Sequence, residues 1–396
     1  MTAQLLFTHA LSPLHAGTGQ GVGVIDLPVA REKATGIPYL PGSSLKGTLR
    51  DSCLSRCKNA QDEEKCERVF GPKNEEADKH AGAAQFTDQR LLLLPIRSLA
   101  GTFAWVTSPY LLQRFNRDAA NAGATALEVP AVEDDKCSVA QKFTTGGQPN
   151  GEEVSCQLKL SVGGAPKVVL EDLDLTPSED PQVSKWAQEI GVFVFANDAG
   201  WQRALGERLC VVSDDVLGFL LNTATEVTAR IKLQEDTKTV RRGGLWYEEA
   251  LPTETILYGL VLATPTKQTG LNEQQIFDVA KGSIQSMMQL GGKATVGRGL
   301  CRVLLQGPRA QAGQTQTPQN APTLPAPQST PASPQTSPPA SASTQSSSAA
   351  DTSAPEQTSA TSQTPAPNPT QPRTTVRPLG VKQPATSTQE PEKGGV

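Results

Sequence analysis

The sequence predicts an α+β fold built on a sheet of ferredoxin-like type. Three observations carry this. Strand signals open and close the patterned region, at "AQLLFTHALSPL" and in "GGKATVGRGLCRVLLQ". Strand, helix and strand pieces alternate between them. An amphipathic helix, "NEQQIFDVAKGSIQSMMQL", feeds the last strand, with Ile276, Phe277, Ala280, Ile284, Met287 and Met288 on or near one face.

The first strand runs out at Pro13, which has no N–H to donate. "HAGTGQGVGVIDLPVARE" follows, with Gly17, Gly19, Gly21 and Gly23 crowded ahead of one aspartate, Asp26. Glycine at that density predicts a loop whose backbone can approach a ligand closely. "YLPGSSLKGTLRDSCLSRC" predicts a turn at Pro41-Gly42 and a helix capped by Ser43 or Ser44, with Leu45, Leu49 and Leu54 at helical spacing. Lys46 and Arg50 share a face near its start. Such a pair suits an anion site at a helix N-terminus, and it equally suits a solvated face. "AAQFTDQRLLLLPIRS" and "GTFAWVTSPYLLQRF" read as two strands and a helix. Residues 121–180 are poorly patterned and predict a peripheral insertion, and "GVFVFAND" reads as a short strand. "TATEVTARIKLQEDTKTVRRGGLWYEEALP" alternates on both sides of "QEDTKT", the pattern of a long hairpin near 223–252. "TILYGLVLAT" reads as a buried strand.

The chain changes character at Arg309. From there to Val396 it contains no Phe, Trp, Tyr, Ile, Met or Cys, and it holds 16 of the 31 prolines. That composition offers almost nothing to bury against the entropy of folding, so a folded part over 1–308 and a disordered Pro/Ser/Thr/Gln-rich tail over 309–396 are expected. The overall net charge of −4 argues against a globally basic nucleic-acid binder, so any RNA site must be a local basic track. No apolar run is long enough for a bilayer and the N-terminus lacks a basic n-region, which predicts a cytoplasmic protein. Seven cysteines without a compact framework predict reduced thiols.

Three histidines, His9, His15 and His80, starve many mechanisms. A two-histidine nuclease would need His9 and His15 to converge. There is no G-x-S-x-G elbow, and "GTGQGVG" and "GGKATVGRG" match neither Walker nor dinucleotide spacing. Cys53, Cys57 and Cys66, with His80, match no standard zinc spacing; free thiols are the ordinary reading and zinc the alternative. Lys293 and Arg298 lie in the second glycine loop, where N–H groups and cations can cradle phosphates. Arg241 and Arg242 precede Leu245, Trp246 and Tyr247, a mixture suited to backbone contact plus stacking, or to a subunit interface. Asp26 suits a turn or cap, and it also suits a base toward a 2′-hydroxyl or a divalent-ion ligand.

Several blocks taken together carry a resemblance. They are "LSPLHAGTGQGVGVIDLPVAREKATGIPYLPGSSLKGTLRD", "FTDQRLLLLPIRSLAGTFAWVTSPYLL", "TEVTARIKLQEDTKTVRRGGLWYEEALP" and "GGKATVGRG". The chain resembles the Cas7-like, RAMP-superfamily backbone subunit of the type III-B CRISPR effector, the Cmr complex. The resemblance implies a modified ferredoxin-like or RRM-type palm with peripheral insertions and an inserted thumb hairpin near 223–252. It implies copies stacked as a helical filament along a CRISPR guide RNA, with other Cmr subunits, in antiviral defence. Each copy would cut complementary target RNA once, at regular intervals, with Asp26 as the catalytic residue and a divalent metal, Mg2+ or Mn2+, as cofactor. His15 would orient or protonate. Lys46, Arg50, Lys293, Arg298, Arg241 and Arg242 would contact RNA, and no membrane is involved. Base pairing, not side chains, would set specificity. Two other readings stand beside it: a non-catalytic guide-binding scaffold of the same complex, and a guide-processing ribonuclease, which the scarcity of histidines disfavours.

Overall fold

Alternation decides the first strand, β1 (Thr2–Ala10): Leu6 and Ala10 enter one buried cluster, Leu5 and Phe7 another on the opposite face. The computed structural model describes residues 2–307 apart from 22, 73–78, 145–152 and 266–268. The expected tail beyond 308 lies outside the described residues.

β2 (Tyr39–Leu40), α1 (Gly42–Leu54), α2 (Ala60–Phe70), β3 (Ala84–Phe86), β4 (Gln89–Arg97), β5 (Phe103–Thr107) and α3 (Pro109–Asn121) follow. Then come β6 (Lys136–Ala140), β7 (Phe143–Thr144), β8 (Glu153–Val154), β9 (Leu160–Val162), β10 (Ala165–Leu170) and β11 (Leu173–Asp180). α4 (Pro181–Val194), α5 (Ala199–Arg208), β12 (Leu209–Val212) and α6 (Asp214–Thr223) lead to the hairpin β13 (Glu226–Leu233) and β14 (Val240–Ala250). β15 (Ile256–Ala263), α7 (Glu273–Gly282), β16 (Met288–Gln289) and β17 (Leu300–Gln306) complete the order.

Among the described residues, one mixed sheet runs β16-β17-β1-β15-β4-β5-β12-β6-β11-β10-β9. Its centre, β17-β1-β15-β4, is antiparallel throughout. One face packs under Leu45 and Leu49 of α1, Val69 and Phe70 of α2, and Ile276 and Phe277 of α7. The other packs under Leu112 and Phe115 of α3, and Trp186 and Ile190 of α4. Each fully buried side chain of this size contributes on the order of 1.5–3 kcal/mol. The mixed α+β architecture expected from sequence is therefore present.

Several local expectations are corrected. "GVFVFAND" is not a strand; its first four residues close α4 and Phe195 caps it. Asp180 caps that helix by accepting from Gln182 N–H at 2.7 Å, Pro181 sits in its first turn, and Val183, Trp186, Ala187, Ile190, Phe193 and Val194 are buried along it. Residues 121–180 are not simply peripheral: β6 lies inside the large sheet between β12 and β11, with Cys137 and Val139 in one core and Ala140 in the other. α1 begins at Gly42 with Pro41 as its N-cap and no side-chain cap, so Ser43 and Ser44 fall in its first turn. α7 ends at Gly282, and Met288 belongs to a strand.

The cysteines are corrected too. α1 ends before Cys57, and α2 packs back on α1, bringing Cys53 and Cys66 to a Cα–Cα distance of 6.0 Å, where they form a disulfide. Thirteen residues of sequence separation hid this pairing. Cys57 Sγ lies 3.6 Å from Cys66 Sγ. His80 lies half-buried beyond α2, and among the described residues no group of three or more His, Cys, Asp and Glu side chains could hold a metal ion.

Candidate functional site

The first glycine loop leaves β1 and is stitched between the hairpin root and the second glycine loop. Leu14 bridges Leu251, His15 bridges Gly292, and Leu27 bridges Glu248. Gly21 N–H donates to Asp26 O at 2.8 Å, closing a turn that carries Asp26 outward. The Asp26 side chain is exposed. Its Oδ2 accepts from Tyr247 N–H of β14 at 2.7 Å, and Leu27 N–H donates to Tyr247 O at 3.0 Å. The aspartate is thus both a hairpin anchor and an exposed carboxylate whose second oxygen is unbonded among the described residues.

Asp26, Gln20, Gly21 and Leu27 line one side of a cleft of about 450 Å³. Gly243, Leu245 and Trp246 of β14 and Lys293 of the second loop line the other. Lys293 Nζ bonds Glu248 Oε1 at 2.8 Å. Glu248 is 2% exposed and also accepts from Trp246 Nε1 (2.8 Å) and Arg230 Nε (3.3 Å). Burial pushes its pKa up, but the Lys293 and Trp246 hydrogen bonds, the Lys293 charge and Arg230 override that and bring it down to about 2.

His15 is placed differently from Asp26. It is 6% exposed, its Nδ1–H donates to Glu249 O at 2.6 Å, and it does not line the cleft. A Cβ on Gly17 would stand 2.5 Å from His15 Nε2, so the first glycine of the loop is the one the imidazole requires. Gly291, at φ +71°, is held against His15 O in the same way. His9 does not meet His15: it is buried in β1, pairs with Glu254 Oε2 at 2.6 Å and lies edge-on to Phe195.

The predicted cations separate into groups. Lys293 joins Asp26 in the cleft. Arg298 is 6% exposed; its Nη2 donates to Thr228 Oγ1 at 3.0 Å, while its Nη1 has no hydrogen-bond partner among the described residues. Lys46 and Arg50 lie half-buried on α1, and burial together with the Arg50 charge lowers the Lys46 pKa. Their helix touches the second-loop approach through Thr48 Oγ1 and Gln289 O at 3.4 Å. Arg241 and Arg242 are exposed at the start of β14 and do not line the cleft.

The hairpin has two unlike faces. Val227, Ile231, Leu245 and Tyr247 share one, and all are large and exposed. Thr228, Arg230, Trp246 and Glu248 share the other, turned to Lys293 and Arg298. Sequence reading missed Glu248 and Glu249, because an acidic pair at a strand end reads as solvated charge. Their only signal was their position after an alternating run.

The pattern of the RAMP superfamily matches residues 9–302, from the end of β1 through both glycine loops and the hairpin to the start of β17. The chain belongs to the RAMP superfamily. A superfamily relative, the CRISPR system Cmr endoribonuclease Cmr4 of Pyrococcus furiosus, is 35% identical over 308 residues, 77% of this chain and 96% of that protein. The crystal structure of oligomeric Cmr4 from Pyrococcus furiosus aligns with TM-score 0.56 at 29% identity, over 77% of this chain and 98% of that one. A chain in the cryo-EM structure of the type III-B Cmr-beta complex bound to cognate target RNA shares the fold, with TM-score 0.57 at 21% identity over 77% and 97%.

Proposed function

We propose that this RAMP-superfamily chain is a repeated backbone subunit of a type III-B CRISPR effector, binding guide RNA and cleaving complementary target RNA at regular intervals, in the cytoplasm. The observation that carries the reading is the exposed Asp26 carboxylate, fixed by one oxygen to the hairpin and sharing a cleft with Lys293. The 35% identical endoribonuclease relative supports it. So does the strand order β17-β1-β15-β4, last-first-third-second among the four central strands, with α1 and α7 as the crossovers, which is the order of a ferredoxin-like palm. The hairpin β13–β14 then serves as the thumb, and its exposed apolar face suits insertion between bases.

The chemistry follows from the geometry. A nucleotide displaced by the hairpin leaves the A-form helix and reaches in-line geometry, so its 2′-oxygen can attack the adjacent phosphorus as the P–O5′ bond breaks, leaving a 2′,3′-cyclic phosphate on one product and, on the other, a 5′-oxygen that takes a proton from solvent water. Much of the rate comes from that positioning. The free Asp26 oxygen takes the 2′-hydroxyl proton, and Lys293 at the cleft offsets phosphate charge. The buried Glu248 fixes Lys293 but also neutralises part of its charge. Lys46, Arg50 and the exposed Arg241 and Arg242 supply the wider basic track. His15, buried and tied to Glu249, supports the loop. Among the described residues a Mg2+ or Mn2+ ion would find one free carboxylate oxygen at Asp26, because Glu248 and Glu249 are already bonded. These residues alone do not make a resident metal centre, and the ion would depend on RNA phosphates for the rest of its shell.

Asp26→Asn tests the proposal in the reconstituted complex. The amide oxygen still accepts from Tyr247 N–H, while the charge is lost. A regularly spaced ladder from wild type should vanish in the variant with guide and target binding retained. Unchanged cleavage would leave the chain a guide-binding scaffold.

A further inference from the structure

We propose that Glu249 is the positioning residue for Asp26, holding the glycine loop so that its carboxylate meets the displaced nucleotide. This rests on the cleavage reading above. Glu249 stands at the hairpin root and is 2% exposed. Its Oε2 accepts from Val29 N–H at 2.9 Å. Its Oε1 accepts from Arg31 Nη2 at 2.6 Å and from Thr225 Oγ1 at 2.8 Å. Its own N–H donates to Leu27 O at 3.0 Å, and its carbonyl accepts from His15 Nδ1–H at 2.6 Å. One residue therefore grips the loop on both sides of Asp26, at His15 before it and at Leu27, Val29 and Arg31 after it.

Asp26 needs this. It follows four glycines, and among the described residues its side chain holds a single hydrogen bond, to Tyr247. Glycine-rich backbone does not hold a carboxylate to the fraction of an ångström that general-base geometry demands. Glu249 is suited to the task because all its side-chain partners are donors. A carboxylate can accept from all three at once. An amide offers one acceptor oxygen and turns its NH2 group toward either Val29 N–H or the Arg31–Thr225 pair, where donor faces donor.

The test is single-turnover cleavage by the reconstituted complex at saturating target RNA, with target affinity measured in parallel. Glu249→Gln is expected to lower the cleavage rate about tenfold or more, with target Kd within about twofold of wild type. A residue important only for folding would reduce assembly and binding and leave the rate per bound target unchanged. Thr225→Val, which removes one donor to Oε1 and keeps the buried carboxylate paired with Arg31, is expected to slow the same step by about two- to fivefold. It decides the matter if Glu249→Gln does not assemble. A wild-type rate per bound target in whichever variant assembles, with Asp26→Asn inactive, overturns the Glu249 assignment alone. A wild-type rate in Asp26→Asn overturns the cleavage reading itself.

Discussion

The Glu248 carboxylate is buried and still carries its charge, because Lys293, Trp246 and Arg230 converge on it. Its pKa in the folded chain, about 2, lies below the ordinary 4.5. The unfolded chain therefore binds the proton more readily, and Glu248 stabilises the fold above pH 4.5. That contribution fades as the pH falls toward 2. Denaturant titrations of wild type and Glu248→Gln should show the variant less stable at pH 7, by about 1–3 kcal/mol, with the gap closing between pH 4.5 and 2. An equal gap at both ends would show that the shift has another source. At this scale Asp26 and Lys293 were legible, because a lone aspartate behind four glycines and a lysine between glycines advertise themselves. Glu248 and Glu249 were not, since only the hairpin's return to the first loop buries them. Arg298 was legible as a cation but not as a buried one, because nothing local in "GGKATVGRG" says that the hairpin lies over it.

The α1–α2 pair is tied by Cys53–Cys66, closing a loop of 13 residues' separation. Loops of about that size are stabilised by roughly 3 kcal/mol through loss of unfolded-chain entropy. A reductant should lower the stability of wild type by about that amount and leave Cys53→Ser/Cys66→Ser unmoved; a wild-type curve indifferent to reductant would contradict it. Because α1 carries Lys46 and Arg50, this tie also bears on the proposed basic track. Strands with a strong local signal were legible in the sequence: apolar runs at β1 and β15, and alternation at β13. α4 was not, because the window "GVFVFAND" shows only its last, apolar turn, while Asp180, Pro181 and the stripe from Val183 that declare the helix lie outside it. β6 was missed because the partners that bury it, β11 and β12, come later in the chain.

On the scale of the whole molecule, the large sheet separates two cores whose buried hydrophobic residues, among the described residues, run from Ala3 to Leu305, and the sequence from Arg309 onward holds no Phe, Trp, Tyr, Ile, Met or Cys to bury. A chain ending after Gly307 should therefore keep the melting temperature of the full chain, and thermal unfolding of the two side by side tests this. A drop of several degrees would mean that the later residues add to a core. The overall α+β class was readable from the order of strand and helix signals; the width of the sheet was not, because its outer strands are short and lack strong patterns. One hydrogen bond, from Tyr247 N–H to Asp26, has a consequence for measurement along RNA. In the proposed function the hairpin marks the interval and Asp26 makes the cut, and the two are pinned to each other within one subunit. Ruler and blade are then a single rigid part. The offset from mark to cut would be the same in every copy, whatever the target sequence, and the spacing of the products would report the subunit repeat.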